Sequence, residues 1–195
     1  MTDEGYIKFN CTWIKEELSD QSIIDELNQW RQKLYNNQLI GAYPDGIGYG
    51  NISQRLAEGT FLITGTATTG NLKQLTARHY TQVSSFDIAN NAITCRGPIK
   101  TSSESLTHAI IYKSLPEVNV VVHIHNNILW QELLHNVPTT SPQVAYGTQE
   151  MANEIIQLLA TTDLKKDKIL DMGGHEDGLI SFGRDLAEAA GKFLA

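Results

Sequence analysis

The sequence predicts an α/β domain, and three observations carry the prediction. Residues Tyr6 to Trp13 alternate with period two, Ser22 to Leu34 repeat apolar side chains at three-to-four spacing, and Val118 to Val122 form an apolar run broken only by Asn119. Helix and strand signals keep alternating to the C-terminus without repeats, low-complexity stretches or a linker. The 195 residues therefore fit one domain, 1–195, long enough to bury a sizeable core without covalent staples.

In the first strand, Ile7, Phe9, Cys11 and Trp13 share one face. The helix that follows carries Ile23, Ile24, Leu27, Trp30 and Leu34 on its buried stripe, with Ser22 as N-cap. Gly41 to Gly50, with the turn signal Pro44-Asp45-Gly46, is a loop leading into a strand at Gly50-Asn51-Ile52-Ser53. Phe61-Leu62-Ile63 is a short strand that ends in Thr64 to Gly70, a run of hydroxyls and small residues. Its backbone amides suit an anion, and its composition equally suits a flexible turn. Lys100-Thr101-Ser102-Ser103-Glu104 then precedes a helix marked by Leu106, Ala109, Ile110 and Leu115. Either Ser102 caps that helix and Glu104 is an acid in its first turn, or the same hydroxyls and carboxylate serve a phosphate and a metal. After the Val118 strand come a helix through Trp130 and Leu134 that stops near Pro138, and a helix capped by Thr148 running through Ile155, Ile156 and Leu159. A strand at Lys168–Met172, the segment Leu179–Phe182 and a helix from Asp185 complete the order.

Composition removes several function classes. The net charge is −7 and no lysine or arginine cluster exists to track a phosphate backbone, which argues against nucleic acid. No apolar run approaches the roughly 20 residues of a membrane span, and the N-terminus lacks the pattern of a secretory signal, so a cytoplasmic protein with no membrane partner is expected. Cys11 and Cys95 lie far apart without Cys-x-x-Cys spacing, which argues against a disulfide framework or a redox motif, and they read as small buried side chains.

The chemistry concentrates at His123-Ile124-His125. On a strand the two histidines share a face, where they either rest as satisfied core residues or grip one cation. A catalytic zinc takes three protein ligands and keeps a fourth position open. The third ligand is expected at His175, in the glycine-flanked turn Gly173-Gly174-His175-Glu176-Asp177-Gly178.

Six motifs occur in one order: Gly50-Asn51-Ile52-Ser53, Ile63-Thr64-Gly65-Thr66, Ser102-Ser103-Glu104, His123-Ile124-His125, Tyr146-Gly147-Thr148 and the glycine-flanked His175. Together they resemble the class II aldolase and adducin head-domain family, which includes fuculose-phosphate and rhamnulose-phosphate aldolases and ribulose-phosphate 4-epimerase, over roughly residues 22 to 195. The resemblance implies a central, largely antiparallel sheet flanked by helices, with the metal at one end of the sheet. It implies Zn2+ on His123, His125 and His175, with Mn2+, Fe2+ or Co2+ chemically acceptable to the same donors. Glu104 becomes a fourth ligand or the catalytic acid/base, and Asn51, Thr66, Ala67, Ser102 and Ser103 the phosphate-binding positions, Ala67 standing where a glycine is often found. His108, one helical turn beyond Glu104, either orients it or is a polar core residue. A homotetramer with its sites near subunit interfaces is implied as well, and the apolar face of the N-terminal strand is available to that contact.

The implied activity is a metal-dependent lyase that cleaves or forms a carbon–carbon bond in a small, phosphorylated sugar or hydroxy-carbonyl compound. A cation chelated by the carbonyl and its neighbouring hydroxyl stabilises an enediolate while Glu104 moves the proton. Epimerases, dehydratases and decarboxylases share that requirement, and a non-catalytic adducin-like binding module shares the fold. Two features depart from the aldolases. The segment Pro138–Ala145 contains no tyrosine to protonate a departing aldehyde, and the chain stops 20 residues after His175, without a tail to close the site. Glu176 or Asp177 either replaces the missing acid or, the preferred reading, orients His175 and caps its turn.

Overall fold

One eight-stranded sheet organises the described residues, which are 5–18, 21–57, 59–68 and 74–194 of a computed structural model. In chain order the strands are β1 (Asn10–Lys15), the short pair β2 (Gly41–Ala42) and β3 (Gly48–Tyr49), β4 (Asn51–Ala57), β5 (Thr60–Thr64), β6 (Tyr80–Asp87), β7 (Ala92–Gly97), β8 (Val120–His125), β9 (Ile169–Asp171) and β10 (Gly178–Gly183). The helices are α1 (Gln21–Asn36), α2 (Ser105–Ser114), α3 (Asn127–Leu133), α4 (Gln149–Thr161), α5 (Leu164–Asp167) and α6 (Leu186–Gly191). The sheet order is β1-β7-β6-β5-β4-β8-β10-β9, while β2 and β3 pair by themselves as a hairpin. Every neighbouring pair in the large sheet is antiparallel except β1 with β7.

Two apolar cores, one on each face, hold this sheet between layers of helix. One joins Ile63, Val121 and Ile180 to side chains of α2 and α4; the other joins Ile52, Val122, Ile124 and Leu179 to α1 and α6. Side-chain alternation along β8 explains the division, since Val121 belongs to the first core while Val120, Val122 and Ile124 belong to the second. Because both faces are covered, β8 is buried along its whole length and reads as a nearly continuous apolar run. From Ser105 to Tyr112, α2 is buried on every side between sheet and α4, which is why it lacks a clear polar stripe.

Several elements differ from the sequence expectation. The first strand begins at Asn10 rather than Tyr6, because its partner β7 begins at Ala92 and leaves the earlier residues without a ladder. Its apolar face is nonetheless the expected one, with Phe9 buried and Ile7, Cys11 and Trp13 packed on the chain's own first core. That face therefore packs on the chain's own core, with Ile7, Cys11 and Trp13 half-buried. Ser22 lies inside the first turn of α1 and is not its N-cap. The second helix starts at Ser105 with Glu104 in the N-cap position, and Ser102 Oγ accepts the Glu104 N–H at 3.2 Å. Thr148 and Asp185 do cap α4 and α6, accepting from Met151 and Glu188. Strands β6 and β7 have no counterpart in the periodicity reading, and Thr69 and Gly70 of the expected anion loop lie outside the described residues. Cys95 is buried and Cys11 half-buried, and neighbouring strands bring their sulfurs to 3.8 Å as free thiols.

Candidate metal centre

Strand β8 carries His123 and His125 on the face of Val121, beneath the N-terminus of α2, whereas Ile124 points into the opposite core. The antiparallel register sets His123 across from Asn51 on one side and Ile180 on the other, and His125 across from Gly178. His175 reaches the same place from the turn between β9 and β10. The glycine opposite His125 makes this possible, because a Cβ on Gly178 would lie 2.5 Å from His175 Cδ2. The imidazole occupies the space that a side chain would fill.

All three histidines are buried, and one ligand atom from each lies within 4.8 Å of the others. His123 Nε2 and His125 Nε2 are 3.0 Å apart. Tetrahedral zinc with bonds of about 2.0–2.1 Å separates its nitrogens by about 3.3 Å, so the observed spread brackets what one cation needs. Tautomers support the same reading. His123 Nδ1 lies 3.1 Å from the carbonyl oxygen of Leu179, which can only accept, so Nδ1 carries the proton and Nε2 an open lone pair. His125 Nδ1 lies 2.8 Å from the Tyr43 hydroxyl, a partner able to receive its N–H and leave that Nε2 open too. With His125 in that tautomer, both Nε2 atoms direct lone pairs into the same space, the arrangement a shared cation requires. Burial keeps the imidazoles neutral: it lowers the His123 pKa to about 4 and holds His125 and His175 well below the ordinary value.

Glu104 lies beside the three histidines. It is buried, sits at the N-cap of α2 where the helix dipole favours a carboxylate, and brings Oε1 to 3.9 Å from His175 Nε2. Three neutral imidazoles and one carboxylate suit zinc and are acceptable to Mn2+, Fe2+ or Co2+.

The positions expected for phosphate gather beside this set. Asn51 pairs with His123, Ile52 N–H donates to Thr64 Oγ1 at 3.3 Å, and Thr66 N–H donates to the Lys100 carbonyl at 3.0 Å. A bridge between Gly65 and Thr101 ties the loop to the segment carrying Ser102 and Ser103. Ala67 takes a φ of 55°, a left-handed conformation that costs a residue with a Cβ about 1–2 kcal/mol and that glycine would adopt freely.

Other expected residues stand apart from the chemistry. The His108 ring bonds Ser53 Oγ at 2.7 Å, and Ser53 in turn bonds the Tyr112 hydroxyl at 2.8 Å. His108 touches Glu104 through the helix backbone and is a polar core residue. Glu176 is exposed; Asp177, at a φ of 68°, accepts a 2.6 Å bond from Asn127, so it shapes the turn that presents His175. Sequence reasoning assigned no role to Tyr43, Tyr49 or Tyr146. The two tyrosine rings of the β2–β3 hairpin stand 6.1 and 5.6 Å from that of His125 and roof it. The Tyr146 ring lies 4.5 Å from that of His175. Aromatic residues in the glycine-rich stretch 41–50 were the available signal for the hairpin.

Solved structures share this architecture. L-fuculose 1-phosphate aldolase superposes with a TM-score of 0.65 at 18% identity, covering 89% of this chain and 81% of that one. A sugar-phosphate aldolase from Thermotoga maritima gives 0.63 at 20% identity, over 86% and 87% of the two chains. YgbL from Escherichia coli, described as a candidate aldolase/epimerase/decarboxylase, gives 0.63 at 20%, over 88% and 83%. At such identities the likeness is one of fold. A sequence family model, that of the class II aldolase and adducin N-terminal domain, matches residues 43–195 and so includes Glu104 and all three histidines. The span of that match, together with the shared fold, makes this chain a member of the class II aldolase and adducin N-terminal domain family.

Proposed function

We propose that the protein is a zinc-dependent lyase that cleaves or forms a carbon–carbon bond in a small, phosphorylated hydroxy-carbonyl compound. One observation carries the reading: His123, His125 and His175 present buried, neutral ligand atoms within 4.8 Å of one another. A bound divalent cation would supply Lewis-acid stabilisation of charge developing on a chelated substrate oxygen. The protein's own groups do the rest. In bond formation the buried Glu104 takes the proton from the carbon beside the substrate carbonyl, that carbon bonds to the aldehyde carbon, and the new alkoxide takes a proton from solvent. In cleavage the departing carbon's hydroxyl loses its proton to solvent as the carbon–carbon bond breaks, and Glu104 gives its proton to the carbon beside the carbonyl in place of that bond. Asn51, Thr66, Ser102, Ser103 and the Ala67 loop hold the phosphate and so fix the reacting carbons over the triad. Tyr43, 2.8 Å from His125 Nδ1, orients the ring and would favour the ligating tautomer by accepting its N–H. A homotetramer and a cytoplasmic setting belong to the same proposal, as the family resemblance suggests.

A second reading is an epimerase, dehydratase or decarboxylase using the same proton transfer. It is favoured by the segment Pro138–Ala145, which lacks a tyrosine, and by the turn role of Asp177. The test begins with elemental analysis of protein purified without a histidine tag. About one zinc per chain in wild type, lost in His125→Ala and His175→Ala, supports the site. Phosphorylated ketoses are then screened with identification of the products: an aldehyde and a ketone fragment mean a lyase, an inverted centre means an epimerase. Glu104→Gln should keep folding and lose at least about 100-fold in kcat. Wild-type protein that takes up no metal, even from added zinc, would remove the enzyme reading and leave a binding module.

A further inference from the structure

We propose that the cavity at the C-terminal end of α2, the opposite end of that helix from Glu104, is a second binding site, which takes a small organic anion: a phosphate or carboxylate group joined to an apolar body. The site is separate from the metal centre and does not depend on it.

The cavity has a volume of about 640 Å³, within the range that holds small ligands, and its walls are Arg55, Gly59, Phe86, Tyr112, Lys113 and Pro116. They come from β4, the turn between β4 and β5, β6, the last turn of α2 and the segment after it. The 10 residues of α2, about 15 Å of helix, lie between this cavity and Glu104.

Arg55 is fixed by one task and keeps donors for another. A guanidinium has five N–H groups. Arg55 gives three of them to carbonyls at and beyond the end of α2: Nε donates to Val118 at 2.8 Å, and Nη2 donates to Tyr112 at 2.9 Å and to Leu115 at 3.0 Å. The guanidinium also lies 4.8 Å from the centre of the Tyr112 ring. These contacts hold it in one orientation. The two N–H groups of Nη1 have no partner among the described residues, and that atom stays open to solvent. Because the side chain is already ordered, a ligand that uses Nη1 loses little rotamer entropy.

Lys113 brings a second positive charge on a flexible stem. It is exposed and forms no salt bridge among the described residues. No carboxylate among the described residues lines the cavity, and Asp87, next to Phe86, accepts from the N–H and Nδ2 of Asn90 at 3.2 and 2.7 Å. Two cations and no acid on the walls, in a protein of net charge −7, make a local positive potential that selects an anion. The half-buried Phe86 and Pro116 add an apolar wall, which a bare inorganic ion cannot use. The ligand that uses both parts is an organic anion.

The test is calorimetric titration of the full-length protein with phenyl phosphate, benzoate, inorganic phosphate and neutral benzyl alcohol. Phenyl phosphate or benzoate should bind wild type with a Kd of about 1 mM or tighter, and at least about 10-fold more tightly than inorganic phosphate or benzyl alcohol. Whichever of the two binds better identifies phosphate or carboxylate as the preferred group. Loss of Arg55 would also strip three carbonyls of their donor, so Lys113 and Phe86 carry the test. Lys113→Glu should weaken the better probe about 10-fold or more and Phe86→Ala about 3-fold or more, whereas Ser103→Ala, beside the metal centre, should leave it unchanged. Weaker binding of both anions to wild type, inorganic phosphate or benzyl alcohol bound as tightly as the better probe, or affinity that ignores either Lys113→Glu or Phe86→Ala overturns the proposal. Binding lost in Ser103→Ala overturns it too, by placing the probe at the metal centre. Zinc binding at the triad is measured separately, and its failure leaves this site untouched.

Discussion

At the scale of single residues, the metal centre depends on a position that has no side chain. Gly178 lies opposite His125 in the ladder, and its missing Cβ is where the His175 ring sits. A methyl group there meets the ring at 2.5 Å and the His175 carbonyl at 2.9 Å, so the turn itself has to shift. Gly178→Ala should cost about 1–3 kcal/mol of stability as overpacking and, by displacing the third ligand, weaken zinc at least about 10-fold. Urea unfolding and chelator competition measure the two effects separately. Unchanged zinc affinity would mean that His175 reaches the site by a route this packing does not limit.

At the scale of elements, the clearest anomaly is at the end of β9. Asp171 is fully buried, and neither carboxylate oxygen has a hydrogen-bond partner among the described residues. Loss of hydration raises its pKa from 3.8 to about 7. The sign follows directly: a carboxyl whose folded pKa lies above its unfolded value supports the fold fully below about pH 4. That support is lost as the pH climbs to about 7 and changes no further above it. Asp171→Asn removes the titration, so the variant should gain about 2–4 kcal/mol over wild type at pH 8 and much less at pH 5. Urea midpoints at the two pH values test this, and an equal difference at both would assign the effect to packing. The same scale shows what periodicity reveals. The runs in β8 and β10 were legible because both faces of these strands are buried. In β6 a register shift between Val83 and Ser85 interrupts the alternation, while β7 alternates without a break but carries only Ile93, Cys95 and Gly97 on its buried face, too weak an apolar signal to be legible. His123, His125 and His175 could be named because strand alternation and glycine flanks are local signals. Tyr43 could not, since what brings it to the site is contact between segments far apart in sequence.

At the scale of the molecule, the triad joins a central strand to a turn that the β8–β10 ladder already brings beside it. His123 and His125 belong to a central strand, His175 to a turn near the sheet edge, and Glu104 to the start of the buried helix α2. A metal bound to the three histidines would bind the folded state and have no equivalent site in the unfolded chain. Its stabilisation grows as RT ln(1 + [metal]/Kd), about 2.7 kcal/mol when free metal is 100-fold above Kd. For a chain of 195 residues, where 1 kcal/mol moves Tm by about 2–4 °C, this amounts to about 5–10 °C. Protein stripped with chelator should therefore melt about 5–10 °C below the zinc-saturated form, with Tm rising steadily with the logarithm of free zinc. Were the chains to associate as proposed, Tm would also depend on protein concentration, so the comparison is made at one concentration and repeated at a tenfold higher one. A zinc increment that is the same at both concentrations places the effect within each chain, whereas one that shrinks at high concentration couples the site to assembly. In His175→Ala the increment should vanish, and a Tm that ignores zinc in wild type would show that the three histidines are core residues after all.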